Sequence, residues 1–330
     1  MLSRRSLLSS ALTLPALAAP KTPAPELISC ERIWDRASHS AFTDLIQHNG
    51  QWLCCFREGQ KHVSPDGRIR ILHSDDGALW RTWSVIEHPV ADLRDPKLTH
   101  NSGGALMLTA AGAMHPPSDA RHRTFAWFSD DGREWTSPIQ IGDDNFWLWR
   151  VQWFQGKAYA MGYATAGEPI LRAYLSLDGR RFLTLNERAA DDGAPNETSI
   201  LFDNSGLATC IARRDGEPKT ALVGHSRPPY RGWIWEDLGV RIGGPHLLRL
   251  PDGRIVCAGR LYDGSQRTAL LWLNPVEPSC TEFLALPSGG DSSYPGLAFH
   301  DDLLWVSYYS SHEARTSIYL AKVKLPPIPR

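Results

Sequence analysis

Groups able to do nucleophilic, acid–base or carboxylate-binding chemistry recur in short strand-like contexts along this chain. P-N-E-T-S-I-L places Glu197 at the start of one such run, and C-I-A-R-R places Arg213 and Arg214 at its neighbour, Arg213 sixteen positions on. Adjacent arginines in a strand face opposite sides, so only one of the two can reach a shared centre. Further guanidinium forks stand at Arg57 (C-F-R-E-G), Arg94 (L-R-D-P-K-L), Arg150 (W-L-W-R-V) and Arg267 (Q-R-T-A-L-L-W-L). Such forks grip carboxylates bidentately and tolerate desolvation better than lysine, although the same geometry serves structural ion pairs. The loop after Arg57 offers Glu58, His62 and Asp66, while Asp44 and Asp95 begin strand-like runs. Tyr294 lies in the polar, Gly-rich G-G-D-S-S-Y-P-G; His246 and His312 read as loop residues near one rim. The 12 histidines show no H-E-x-x-H or other ligand spacing, and there is no C-x-x-C, so neither a metal nor a cofactor is expected.

The composition narrows the setting. The chain has 330 residues, a formal charge of −1 and 42% hydrophobic residues, which is globular and disfavours disorder. Near-neutrality argues against a nucleic-acid binder, which carries a basic face. Arg4 and Arg5 precede an apolar run from Leu7 to Ala19 that ends in small residues. This reads as an export signal over 1–19, with a twin-arginine-like context, too short to span a membrane. A Pro-rich linker over 20–25 follows, and the mature protein is expected in the periplasm or outside the cell as a monomer. Cys54, Cys55, Cys210 and Cys257 sit in apolar runs and read as buried thiols, leaving Cys30 and Cys280 as the pair that could bridge.

What positions these groups is a repeat. Ser74 to Trp80, Ser129 to Trp135 and Ser176 to Phe182 all fit S-x-D-G-x-x-(W/F), about fifty residues apart. Degenerate copies follow at Ser226–Trp233 and in N-P-V-E-P-S after Trp272. An interleaved series of apolar strand, polar turn and second apolar strand runs from D-L-I-Q-H-N-G to G-L-A-F-H-D-D in six units. No helical periodicity is sustained after the leader. The pattern predicts an all-β, six-bladed β-propeller of four-stranded antiparallel blades over 26–330, its ring closed by the N-terminal strand E-L-I-S-C-E-R-I-W.

The S-x-D-G-x-x-W segments resemble the Asp box of the sialidase-like family, a hairpin signature between the third and fourth strands of propeller blades. That resemblance implies an activity as well as a fold. In the family a Glu, a strand, a turn, a strand and an Arg follow one another much as Glu197 and Arg213 do, and a late Arg precedes a nucleophilic Tyr as Arg267 precedes Tyr294. Sialidases, an exception to the two-carboxylate scheme, use a neutral Tyr activated by a Glu, because a carboxylate nucleophile would be repelled by the substrate's own carboxylate. The resemblance therefore implies a retaining glycosidase with Tyr294 as nucleophile and Glu197 as its base. Asp95, Asp44 or His62 would be the acid–base residue. A clamp for an acidic sugar would come from among Arg57, Arg94, Arg150, Arg213 and Arg267, with His246 nearby. The implied partner is a glycan.

One departure stands out. The family's first Arg opens the first blade, where this chain reads H-S-A-F-T-D-L with Ala41. That leaves uronic or ulosonic acid sugars open as substrates, by hydrolysis or lyase chemistry, and leaves open a non-catalytic glycan-binding propeller, which would need neither a nucleophile nor its base.

Overall fold

The computed structural model describes residues 24–328. The expected leader and residues 20–23 of the expected linker lie outside them. The N-terminal strand β1 (Glu26–Trp34) leads into blade 1, made of β2 (His39–His48), β3 (Gln51–Gly59), β4 (Arg68–Ser74) and β5 (Arg81–Ile86). Blade 2 holds β6 (Ala91–His100), β7 (Leu106–Met114), β8 (His122–Ser129) and β9 (Ile139–Ile141). Blade 3 holds β10 (Phe146–Phe154), β11 (Lys157–Ala164), β12 (Leu171–Ser176) and β13 (Leu183–Ala190). Blade 4 comprises β14 (Pro195–Phe202), β15 (Ala208–Arg214), β16 (Leu222–Ser226) and β17 (Ile234–Asp237). Blade 5 comprises β18 (Ile242–Arg249), β19 (Ile255–Leu261), β20 (Arg267–Asn274) and β21 (Ser279–Ala285). Blade 6 is β22 (Ser292–His300), β23 (Leu303–Ser310) and β24 (Ser317–Lys324), completed by β1.

The ring is a six-bladed β-propeller of four-stranded antiparallel sheets, as the repeat predicts. β1 lies antiparallel to β24, pairing Glu26 with Lys324 and Trp34 with Ile318, so the first strand closes the last blade. Second strands such as β3 (Q-W-L-C-C-F-R-E-G) are buried on both faces because blades stack face to face. That is why they read as continuous apolar runs rather than as alternations. Fourth strands such as β13 and β21 lie at the rim and carry exposed polar residues. Among the described residues no helix is long and apolar enough to cross a membrane.

Each S-x-D-G segment forms the turn between the third and fourth strands of its blade. Asp76 Oδ1 accepts from the backbone N–H of Ala78 and Leu79, while Ser74 Oγ accepts from Gly77 N–H. Asp131 with Ser129, and Asp178 with Ser176, repeat the pattern. In blade 5, Asn274 does the aspartate's work by accepting from Val276 and Glu277. These turns also lock blades together. A side chain at Gly77 would collide with Trp305 of blade 6, whose indole stacks on Trp52 of blade 1 at 4.2 Å. Such a stacked pair contributes about 0.5–1.5 kcal/mol beyond its burial.

All six cysteines are free thiols. Cys30 and Cys280, the pair left able to bridge, do not do so. Cys30 Sγ lies 3.0 Å from the Tyr308 hydroxyl in blade 6, and Cys280 packs beside Cys257 against the core shared by blades 4 and 5.

Candidate functional site

The site rests on a defect repeated in every blade. The ladder between first and second strands skips two residues: Phe42–Thr43, Asp95–Pro96, Trp149–Arg150, Asn196–Glu197, Gly244–Pro245 and Tyr294–Pro295. A bulge of this kind re-aims a side chain away from the sheet faces. Three of the six place proline second, where no ladder N–H is needed. Phe42, Asp95 and Tyr294 hold positive φ (63°, 49° and 51°), a backbone cost typical of sites over-determined by their surroundings.

Five of them, Phe42, Trp149, Glu197, Gly244 and Tyr294, gather at one end of the central funnel. The ring of Phe42 meets that of Tyr294 edge-on at 5.2 Å, and the Trp149 ring does so at 5.7 Å. Gly244 completes the ring by leaving space: a Cβ there would sit 2.7–2.9 Å from the Tyr294 ring.

Tyr294 donates its phenolic proton to Glu197 Oε1 at 2.6 Å. Arg213 Nη1 donates to the same oxygen and to the Tyr294 hydroxyl, both at 3.0 Å. The other Glu197 oxygen accepts the Gly244 N–H at 2.7 Å. Asp215 Oδ1 takes the far edge of Arg213, while Arg214 turns away to Asp192, Thr220 and Asp237, as strand alternation requires. Tyr294 and Glu197 are each 7% exposed. Burial, reinforced by the Glu197 carboxylate, holds the Tyr294 phenol well above its usual range. The same carboxylate holds Arg213 firmly protonated. The arrangement is a neutral phenol ready to pass its proton to an adjacent carboxylate, with a fixed cation beside the oxygen where charge would appear.

Asp95 lies at the same level. Burial pushes its carboxyl up to about 7, with Lys97 opposing and Glu197 adding to the rise. Its Oδ1 has no hydrogen-bond partner among the described residues. A carboxyl whose proton affinity is raised to near neutrality in the company of Glu197 is equipped for general acid–base work.

Asp291 organises the opposite wall. Its Oδ1 accepts from Tyr309 (2.8 Å) and Arg260 (3.0 Å), and its Oδ2 faces His39 (3.1 Å) and His62 (2.6 Å). The Arg260 guanidinium also bonds Ser292 O and lies over the Tyr294 ring at 5.3 Å.

Of the residues singled out in the sequence, Tyr294, Glu197, Arg213, Asp95 and His62 meet at this end. Arg94 stands at the margin, held by Asp92 Oδ2 at 2.6 Å. Others are elsewhere. Arg57 is fully buried between blades 1 and 2, on Asp92 Oδ1 and the carbonyls of Lys61 and Ser64. Arg267 lies on the third strand of blade 5, tied to Glu282 and Asp263. Asp44, Arg150 and His246 form the next layer along the funnel. Arg150 bonds Asp44 Oδ2 and Pro295 O; Asp44 Oδ2 also accepts from Leu98 N–H, and His246 Nδ1 from Leu297 N–H. They line a separate cavity of about 300 Å³ with Lys97 and Ser199. His246 is therefore an inner-strand residue of β18, not the loop residue expected, while His312 does lie in the loop after β23.

Arg260 and Asp291 escaped the sequence reading, although Arg260 had a signal. C-C-F-R-E, C-I-A-R-R and C-A-G-R-L place Arg57, Arg213 and Arg260 alike near the ends of second strands, and the spacing from Tyr294 drew attention to Arg267 instead. Asp291 and His39 had none, because their meeting depends on ring closure.

The sequence matches no protein-family model and no curated protein. Solved structures resemble the chain. A protein of unknown function from Dyadobacter fermentans superposes with a TM-score of 0.81 at 19% identity, over 92% of this chain and 100% of that one. The α-L-arabinanase of Penicillium chrysogenum gives 0.69 at 16% identity, over 90% and 98%. Trypanosoma rangeli sialidase, in complex with the inhibitor DANA, gives 0.68 at 12% identity over 91% of this chain but 60% of its own length. At these identities the likeness is one of fold: the chain shares a propeller architecture with structures that include glycosidases of differing specificity.

Proposed function

We propose that this chain is an exported, retaining glycoside hydrolase that removes a terminal acidic sugar. The observation that carries the reading is the Tyr294–Glu197–Arg213 cluster, with its 2.6 Å phenol–carboxylate hydrogen bond in a buried funnel. Tyr294 Oη attacks the anomeric carbon as its proton passes to Glu197, and Asp95 protonates the departing glycosidic oxygen. The glycosyl–tyrosine adduct is then opened by water that gives its proton to Asp95, and Glu197 returns the phenol proton. Arg213 stabilises charge on the phenol oxygen; Arg213 and Arg260 supply the cationic wall for the sugar carboxylate.

A neutral nucleophile favours a substrate that carries its own carboxylate near the reacting carbon, because an anionic one would be repelled. Sialic acids fit this chemistry. Other ulosonic acids, which like sialic acids carry the carboxylate on the anomeric carbon, fit it equally. A uronic acid, with its carboxylate on C5, asks less of a neutral nucleophile and less of blade 1, where Ala41 and the commitment of Arg57 to Asp92 leave the funnel without a guanidinium from that strand pair. The test is hydrolysis of a fluorogenic sialoside by the mature protein beside Tyr294→Phe. Turnover by wild type and its loss in the variant support the full reading. Turnover retained in the variant sinks the mechanism, and no turnover on sialosides or on a panel of uronic-acid glycans sinks the activity.

A further inference from the structure

Three side chains from separate segments meet on the blade 1–blade 6 wall of the funnel: His39 on β2, His62 in the loop after β3, and Asp291 just before β22. Their ligand atoms, His39 Nε2, His62 Nδ1 and Asp291 Oδ2, lie within 4.8 Å of one another. The two nitrogens stand 3.1 Å and 2.6 Å from the carboxylate oxygen. A divalent ion with bonds of about 2.0–2.2 Å spaces its tetrahedral ligands by roughly 3.3–3.6 Å, a spacing that modest rearrangement around the exposed His62 would reach. We infer that His39, His62 and Asp291 form a binding site for a zinc-like divalent metal ion, open on the funnel side to an oxygen ligand.

The surroundings are built for this role. Asp291 Oδ1 is fixed by Tyr309 and Arg260, which orients Oδ2 toward the histidines in the way outer partners orient metal-binding carboxylates. His39 is 7% exposed and cannot swing away, whereas the His62 side chain is 47% exposed and gives the site an entry path. The His62 ring packs edge-on against Phe42 at 5.1 Å, and Phe42 against Tyr294. Phe42 thus joins the histidine pair to Tyr294 through one ring. Two imidazoles and one carboxylate with free positions suit zinc and its neighbours better than calcium or magnesium, which prefer all-oxygen shells. Binding requires each imidazole nitrogen to present its lone pair in place of the proton it shares with Oδ2, so protons are displaced as the metal enters.

The ion also answers a shortage of charge. Arg213 and Arg260 come from blades 4 and 5 and each already faces a carboxylate, Asp215 or Asp291. Blade 1 offers Ala41 and a buried, committed Arg57. A divalent ion here would draw the sugar carboxylate from the side that lacks a guanidinium; this role, unlike the metal site itself, rests on the acidic-sugar reading.

The test uses tag-free mature protein stripped with a chelator and titrated calorimetrically with ZnCl2, without substrate. One equivalent of zinc should bind, and His62→Ala and His39→Ala should each weaken it by about 100-fold or more, the upper end of what loss of an outer partner causes. Cobalt(II) should give the visible absorption of a low-symmetry N/O site, lost in both variants. No saturable zinc binding, or binding unchanged in His62→Ala, overturns the site. A second arm titrates N-acetylneuraminic acid and glucuronic acid with and without zinc. Tighter binding of either with zinc supports the carboxylate role, and equal affinity for both with and without it overturns that role. The metal arms do not depend on turnover, so a failed hydrolysis assay and a failed metal site remain distinguishable.

Discussion

The phenol of Tyr294 on β22 donates to the carboxylate of Glu197 on β14 at 2.6 Å, although the two strands belong to blades 6 and 4. The contact exists because both residues occupy bulges in their inner strands, and because blade 5 places Gly244 between them. The glycine N–H holds the second Glu197 oxygen, and its missing side chain makes room for the phenol ring.

Tyr294→Phe removes the oxygen that the proposed mechanism uses for attack while leaving Glu197 paired with Arg213 and Gly244. Turnover is expected to fall about 10³-fold or more, with a melting temperature within a few degrees of wild type. Glu197→Gln should cost about 10²–10⁴-fold, the usual contribution of a general base. The double variant should be little worse than Tyr294→Phe alone, since the two act as one unit. Kinetics and thermal melts of the three proteins check this, and additive losses would separate the residues.

Asp95 yields a pH prediction with a definite sign. Its folded-state value of about 7 lies above the unfolded 3.8, so the folded protein holds the proton more tightly. This group's contribution to stability is full below about pH 4 and is lost as pH rises through about 7. Asp95→Asn should therefore stabilise the protein at pH 8 by a few kcal/mol, since each tenfold difference in proton affinity between the folded and unfolded chain is worth about 1.4 kcal/mol. The same change should abolish the alkaline limb of kcat/KM near pH 7 and depress turnover of poor leaving groups far more than of activated aryl glycosides. Chemical denaturation at pH 5 and pH 8, beside pH–rate profiles, reads both effects.

Gly244→Ala places a methyl 2.7–2.9 Å from the Tyr294 ring at a backbone φ of +59°. The ring must move and the Glu197 contact must lengthen. We expect a loss of about 1–3 kcal/mol in stability together with at least a tenfold drop in turnover. A variant of wild-type activity would mean that the phenol–carboxylate contact is not needed.

Arg57 and Arg267 should behave as structural residues. Arg57→Ala takes the partner from Asp92 Oδ1, leaving Arg94 on Oδ2, and should cost about 1–3 kcal/mol. Arg267→Ala, on the outer part of blade 5, should change stability by less than about 1 kcal/mol. Neither should raise KM in folded protein, whereas Arg260→Ala should raise it strongly. Michaelis constants for the three variants decide the matter.

Much of the architecture was legible because its causes are local. Gly77, Gly132 and Gly179 adopt positive φ in turns whose Ser and Asp cap their own backbone N–H groups, so each S-x-D-G segment announces a third-to-fourth strand hairpin wherever it stands. Apolar runs such as W-L-C-C-F announce strands covered on both faces. Repetition at about fifty residues then leaves few ways to bury those faces other than a closed ring. The Glu197–Arg213 spacing was equally readable, since it is one hairpin long.

The tertiary structure decided which charges share the funnel. Arg57 and Arg260 occupy like positions at the ends of second strands, yet one is spent on Asp92 between blades and the other reaches Asp291 and the Tyr294 ring. Asp44 and Asp95 both stand on inner strands, but residue 95 is the first residue of its bulge and residue 44 follows its own, so one lies toward Glu197 and the other ion-pairs with Arg150 in the next layer. His39 and Asp291 meet only because the first blade closes against the last. Turn chemistry acts over a few bonds and is written in adjacent residues; the sharing of a carboxylate among blades depends on ångström-scale register and on ring closure, which no local pattern encodes.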